Sequence, residues 1–423
     1  MRSERRVALA LFLFAAAAVL PARADTPPLM VIPIGQGHAM ESNVRTTHSI
    51  AALFSLYDDA FQRAFPFVED TRARRLLGMT GRIAKLLLID LPIAEFSETL
   101  IHEAYGHGAR AIQLGLSSEF DFSMPFPYDF VIGSSYGPFG SYGGTEGRTP
   151  DENLSIIAGG NEANYYSAYW TEVDTMRAGG LVHYRQMVAY IAAKVVNLPG
   201  YLAPGSQFDF GADIPEYLTL LEDRFNQWRP ADRAAVKTRL QYGYIGNFLD
   251  PMFWLSTYHL FSTYLYRGQR TAQLPLVSLG GVRLFPGTRF NISPFGAEHY
   301  LDVFALHPRG TLVVTGRFGS SGLATSWGVG ARLFDVRLTR GLTAGAEVEL
   351  WRQPVVLEAQ RYLFDRAELF GVSASIEGDW RLWWRLGVVG RISWKTRGYA
   401  MGEPLADGMF GYLGVSLALD DSH

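Results

Sequence analysis

The chain has 423 residues, a formal net charge of −3 from 38 Lys and Arg against 41 Asp and Glu, and no cysteine. A near-neutral balance without a long basic run gives nucleic-acid binding no electrostatic support, and nucleic acid is not expected as a partner. The lack of cysteine excludes a disulfide framework and thiolate ligands, so any metal site must use His, Asp and Glu.

The first elements are a basic stretch, Met1–Arg6, an apolar run, Val7–Leu20, and small residues Ala22 and Ala24 before Asp25. Residues 1–24 read as a secretory signal peptide, because the apolar run is shorter than the ~20 residues a spanning helix needs. The remaining chain has room for two domains or one large one.

Apolar residues then recur at helical spacing in Ser49–Phe65, Arg82–Gly115, Asn161–Gly180, Arg185–Asn197, Ile214–Trp228 and Phe253–Gly268. Pro92 is expected to divide the second stretch into two helices. Asp90, Lys194 and Asp250 interrupt the apolar runs, which favours buried helices over membrane spans. The tyrosine-rich Tyr242–Tyr266 stretch suits contact with a membrane surface. Tyr128–Asn153 is rich in Gly, Ser and Tyr and reads as a loop or loose hairpin, either an exposed connection or a cover over an active site.

After residue 270 the period becomes two. In Leu382–Lys395, one face takes Leu382, Trp384, Leu386, Val388, Gly390, Ile392 and Trp394, while Arg385, Gly387, Val389, Arg391 and Ser393 take the other. Thr311–Phe318, Ser326–Leu333, Ala344–Leu350, Gly371–Glu377 and Tyr412–Leu419 alternate similarly, and with weaker runs the total is about eight strands, a common size for a closed barrel. Trp384 and Trp394 would lie roughly 23–25 Å apart along a tilted barrel, about the height of a lipid-facing band. Glu347, Glu349, Glu377, Arg385 and Arg391 suit a polar lumen. An outer-membrane barrel surrounded by lipid is favoured over a soluble β-sandwich or barrel. The last strand departs from the outer-membrane pattern by running into Asp420–His423 rather than ending on an aromatic residue. The expected fold is α+β: residues 25–270 a mostly helical, zincin-like domain, residues 271–423 an antiparallel β-barrel.

The chemistry concentrates in Glu98–Arg110, "ETLIHEAYGHGAR". His102 and Glu103 begin the H-E-x-x-H zinc signature, but the second histidine, His107, comes one residue late. On a regular helix, residues five apart point about 140° away from each other. A π-bulge restores their alignment, and Gly106 relaxes the backbone there. Two His and one Glu form a standard catalytic zinc set, with a neighbouring carboxylate as general base, a role Glu103 fits. Glu98, one turn before His102, is placed either to orient that imidazole or to sit solvated on the helix face. Tyr105, Tyr165 and Tyr166 are oxyanion donors in one reading and packing residues in the favoured one. His48, His183 and His259 read as structural or surface histidines, with His183 the fallback third ligand.

His102-Glu103-Ala104-Tyr105-Gly106-His107 resembles the H-E-x-x-G-H motif of the dipeptidyl peptidase III family of zinc peptidases. The resemblance implies that His102 and His107 bind Zn2+, that Glu103 activates water, and that a glutamate on a later helix completes the site. Glu162, in Gly159–Tyr166, stands at a comparable separation, while Asn161, Tyr165 and Tyr166 depart from the family's E-E-x-x-A-E pattern. The resemblance covers only these stretches.

The expected function is a secreted zinc metallohydrolase, and among hydrolases a metallopeptidase acting on a peptide or protein substrate, with its helical domain facing the periplasm. The competing readings are a non-enzymatic outer-membrane barrel with a helical plug or scaffold, and a metal-dependent amidase of lipid or cell wall.

Overall fold

Strand β1 (Leu29–Ile34) and a helix at residues 40–49 come first. In this computed structural model the described residues are 29–34, 40–49, 54, 58, 71–121, 139–142, 148–198, 201, 213–225, 230–321, 324–357, 368–383 and 386–418. The expected signal peptide, most of the Ser49–Phe65 helix and of the Tyr128–Asn153 connection, Trp384, Arg385 and the terminal Asp420–His423 lie outside them.

One continuous helical stretch runs from Arg72 to Gln113, as Arg72–Lys85, a π-helical Leu86–Asp90, Leu91–Leu100, a π-helical Ile101–His107 and Gly108–Gln113. Pro92 does not divide it. Proline lacks the N–H and crowds the carbonyl four residues back; the wider π turn directly before it takes up both defects. Strands β2 (Ser118–Asp121) and β3 (Phe139–Tyr142) pair as a small ribbon.

Helix Pro150–Arg177 is 28 residues long and starts well before the expected Asn161. Its start has clear local causes: Thr149 caps the Glu152 N–H, Glu152 returns the bond to Thr149, and Pro150 sits in the first turn. It carries no single apolar stripe, because it is buried on nearly every side. Strand β4 (Leu181–His183) and helices Tyr184–Val195, Asp213–Phe225, Pro230–Gly246 and Pro251–His259 follow, the last extended by the π-helical Leu260–Tyr266.

Strand β5 (Thr271–Gln273) pairs with β4. The large sheet comprises β6 (Val277–Leu279), β7 (Val282–Ser293), β8 (Gly296–His307), β9 (Gly310–Ser320), β10 (Thr325–Arg337), β11 (Leu342–Pro354), β12 (Glu368–Trp383), β13 (Leu386–Lys395) and β14 (Gly408–Ala418), each antiparallel to the next, with β1 added beside β14. The protein is thus a mixed helix and sheet fold, helices mainly first. Two expectations are corrected. The sheet has ten strands rather than about eight, and among the described residues no pairing joins β6 to β1, so it is not closed into a barrel. The Leu382–Lys395 run is not one strand either, since β12 ends at Trp383 and β13 begins at Leu386.

Residue 270 marks a change of secondary structure, not a boundary between cores. Ala163, Tyr169, Trp170 and Val173 of the long helix share one apolar cluster with Phe285, Phe304, Val313 and Phe334 of the sheet. Around this cluster the inner strand face is polar. Arg45 pairs with Glu377 at 2.9 Å, Arg332 with Glu41 at 3.1 Å, and Arg391 with Glu347 at 2.7 Å. The outer face is apolar: on β13, Leu386, Ile392 and Trp394 are exposed, whereas Val389, Arg391, Ser393 and Lys395 are buried.

Candidate metal centre

The distortion that the histidine spacing requires is present. Ile101–His107 is π-helical, and this wider turn brings His102 and His107 onto one side with ring centroids 4.9 Å apart. Gly106 has a second cause beyond backbone freedom. A Cβ there would lie 2.5 Å from the Gly159 oxygen and 2.6 Å from Gly160 Cα, so glycines on both sides let the two helices touch backbone to backbone. Gly160 leaves the imidazoles their space, because a Cβ on it would lie 2.5 Å from His102 Nε2 and closer still to His107 Nε2.

Each imidazole is held by its Nδ1. His107 Nδ1 donates to the Ile156 carbonyl at 2.7 Å. His102 Nδ1 donates to Asn164 Oδ1 at 2.8 Å, an orientation fixed because Asn164 Nδ2 donates to the Glu98 carbonyl oxygen and carboxylate, both at 2.9 Å. Glu98 therefore acts on His102 through Asn164 rather than by direct contact. With both Nδ1 atoms committed as donors, both Nε2 atoms present lone pairs when the imidazoles are neutral and N–H groups towards Asp213 when they are charged. They meet Asp213 Oδ2 at 2.9 Å from His102 and 3.2 Å from His107.

Three acceptors therefore converge, all within 4.8 Å of one another. Such a set is stable only with positive charge among them, supplied by protons or by a metal ion. The protonation preferences follow. Burial alone would push the His107 imidazole down, but Asp213 and Glu103 outweigh it and raise it to about 9. Burial would raise the Asp213 carboxyl, yet the two histidines hold it well below the usual carboxylate range. Burial dominates at Glu98 and pushes it up to about 8, against the bonds from Asn164 and Ser167. The side chains of His102 and Asp213 remain 15% and 21% exposed, so the centre is partly accessible to solvent.

The His102–His107–Asp213 group could hold a metal ion. The donor chemistry fits: two imidazole nitrogens and one carboxylate oxygen are ligand types that divalent metals take. Glu162 is not brought to this group. It is fully buried mid-helix, where Arg110 Nε donates to it at 2.9 Å, Arg110 Nη2 pairs with its other oxygen, and the Gly402 N–H donates at 2.7 Å. Its separation from His107 matches the family pattern, but it meets a buried guanidinium first. Asp213 opens the later helix Asp213–Phe225, 106 residues beyond His107, and its acidic position at that helix start was the one legible signal.

The remaining candidates have other partners. His183 caps helix Tyr184–Val195 by accepting from the Arg185 N–H, His48 bonds Ser167 Oγ at 3.0 Å, and His259 bonds Thr263 at 2.9 Å. Tyr166 donates to Glu41 inside the sheet, Tyr165 packs edge-on to Phe290, and Tyr105 packs against the core. No protein-family model matches the chain, and no curated protein is significantly similar to it.

Proposed function

We propose that the protein is a metal-dependent hydrolase of the outer membrane, with His102, His107 and Asp213 as ligands and zinc as the metal. The observation that carries this reading is the convergence of two imidazole lone pairs and one carboxylate oxygen, each imidazole locked from behind by an acceptor. Zinc bound there would make a water acidic enough to be deprotonated near neutral pH. Glu103, next to His102 and close enough to His107 to raise its pKa, is the general base. Asn164 and Ile156 fix the imidazole tautomers. The substrate class is a peptide or protein amide, as the H-E-x-x-x-H arrangement implies, with lipid or cell-wall amides the neighbouring option. The test is paired: zinc content and cleavage of a fluorogenic peptide library for the wild type and Glu103→Gln. Glu103→Gln keeps its zinc and loses roughly 10²–10⁴-fold in rate; full activity in that variant refutes the mechanism.

The membrane assignment rests on the apolar outer and ion-paired inner faces of the strands, the reverse of a soluble sheet. Localisation to the outer membrane with the helices facing the periplasm belongs to this proposal. A second reading, a non-enzymatic outer-membrane protein with a helical plug, draws on the Pro150–Arg177 helix lying against the sheet's inner face. In that reading protons supply the charge between His102, His107 and Asp213.

A further inference from the structure

The helical part carries an exposed apolar face of its own. On the Arg72–Leu100 stretch, Leu76, Ile83, Leu87 and Leu91 follow one another at helical spacing, with Leu76 53% and Leu87 51% exposed. On the Pro251–Tyr266 stretch, Trp254, Tyr258 and Phe261 share a face and are each 60% exposed. The two stretches are neighbours, since Arg82 Nε donates to the Leu265 carbonyl at 3.0 Å. Soluble proteins rarely leave so much contiguous apolar surface open.

Three features indicate what covers it. First, β6, only eleven residues beyond Tyr266 in the chain, also exposes apolar side chains, Val277 at 66% and Leu279 at 67%. Second, Arg72–Lys85 is strongly amphipathic and has no acid in its first turn, with Arg72 and Arg75 exposed beside Leu76. An Arg-rich polar edge next to an apolar stripe is the pattern of a helix lying in an anionic bilayer interface. Third, the aromatic members are Trp and Tyr, whose amphipathic rings sit well at headgroup level.

We infer that this face is seated in the bilayer beside the strands, its apolar side chains among acyl chains and Arg72 and Arg75 at lipid phosphates. The inference rests on the lipid-facing reading of the strands. Its consequence is positional. Leu91 and His102 lie on one continuous helix, eleven residues or about 16 Å apart, so the candidate metal centre is held close to the membrane surface.

The chain has no native cysteine, so single labels are unambiguous. The full chain is reconstituted in vesicles of phosphatidylcholine and phosphatidylglycerol with a nitroxide at Leu87→Cys, Tyr258→Cys, Ile392→Cys or Asp223→Cys. Collisional access to oxygen and to a nickel chelate is then measured. The labels at 87 and 258 should match the strand label at 392, with an oxygen-to-nickel ratio several-fold above that at the exposed, aqueous position 223. Water-like access at 87 and 258, with lipid-like access at 392, overturns the inference and leaves the strand reading intact. Exclusion of both reagents at 87 and 258 also overturns it, because it indicates a protein partner. Water-like access at 392 as well overturns the strand reading itself. In phosphatidylcholine alone, a Leu76→Cys label should become more accessible to nickel; no change overturns the phosphate contact of Arg72 and Arg75.

Discussion

Adding one methyl group at Gly160 should disable the metal centre while leaving the fold in place. The Cβ of Gly160→Ala would lie 2.5 Å from His102 Nε2 and 2.7 Å from its Cδ2, whereas real Cβ atoms keep at least 3.0 Å. The imidazole must therefore retreat by at least 0.5 Å, the difference between 3.0 Å and 2.5 Å. Metal–ligand bonds tolerate about ±0.2 Å, so the retreat exceeds what the centre can absorb. Disturbing the supports of a ligand commonly costs roughly 10–100-fold in affinity, and displacing the ligand itself should cost at least as much. Overpacking adds about 1–3 kcal/mol of destabilisation, which leaves a well-formed fold measurable. The assay is zinc titration against a chelating indicator, with circular dichroism to verify folding. Gly81→Ala is the matched control, since nothing lies within 4 Å of its added Cβ. It should bind zinc normally and gain up to ~1 kcal/mol from helix propensity. A folded Gly160→Ala protein with wild-type affinity would refute the geometry.

Glu162→Gln should reduce stability by about 3–5 kcal/mol without removing metal from the folded fraction, because it leaves the buried Arg110 without its carboxylate; thermal melts and metal analysis of the same sample test both parts. Glu98 binds its proton up to about pH 8 in the folded chain, above its ordinary value of 4.5, so the folded state holds more protons across this window. Its contribution to stability should therefore be fully present below pH 4.5 and be lost as pH rises towards 8, and Glu98→Gln should flatten that slope in melts across the range. Ile392→Arg places a charge on the exposed strand face and should cost about 2–4 kcal/mol of membrane stability if that position is near mid-bilayer, measured by urea unfolding in vesicles; an effect near zero argues against lipid contact.

Elements with a strong local cause were legible in the sequence. Histidines five positions apart dictate a distorted helix if they are to share a face, and Ile101–His107 is π-helical. Period-two alternation located most strands but left their direction open, since an apolar stripe looks the same whether it faces a core or lipid. Buried Arg391 and exposed Ile392 show that the apolar stripe lies on the outside of the sheet. The start of the long helix was written in Thr149-Pro150-Asp151-Glu152, a capping box that the apolar pattern of the following residues obscured. What sequence could not give is distant pairing. Glu162 and Asp213 are both carboxylates on helices after the motif, and only the fold places Arg110 against one and the two imidazoles against the other.

Zinc content of the purified full chain, beside Asp213→Ala and Glu162→Ala, tests the central claim most directly. Three candidate ligand atoms converge at one point, so the wild type should bind one equivalent, retained by folded Glu162→Ala and largely lost by Asp213→Ala. A wild-type chain that binds no metal, or an Asp213→Ala chain that keeps it while Glu162→Ala does not, would contradict the assignment.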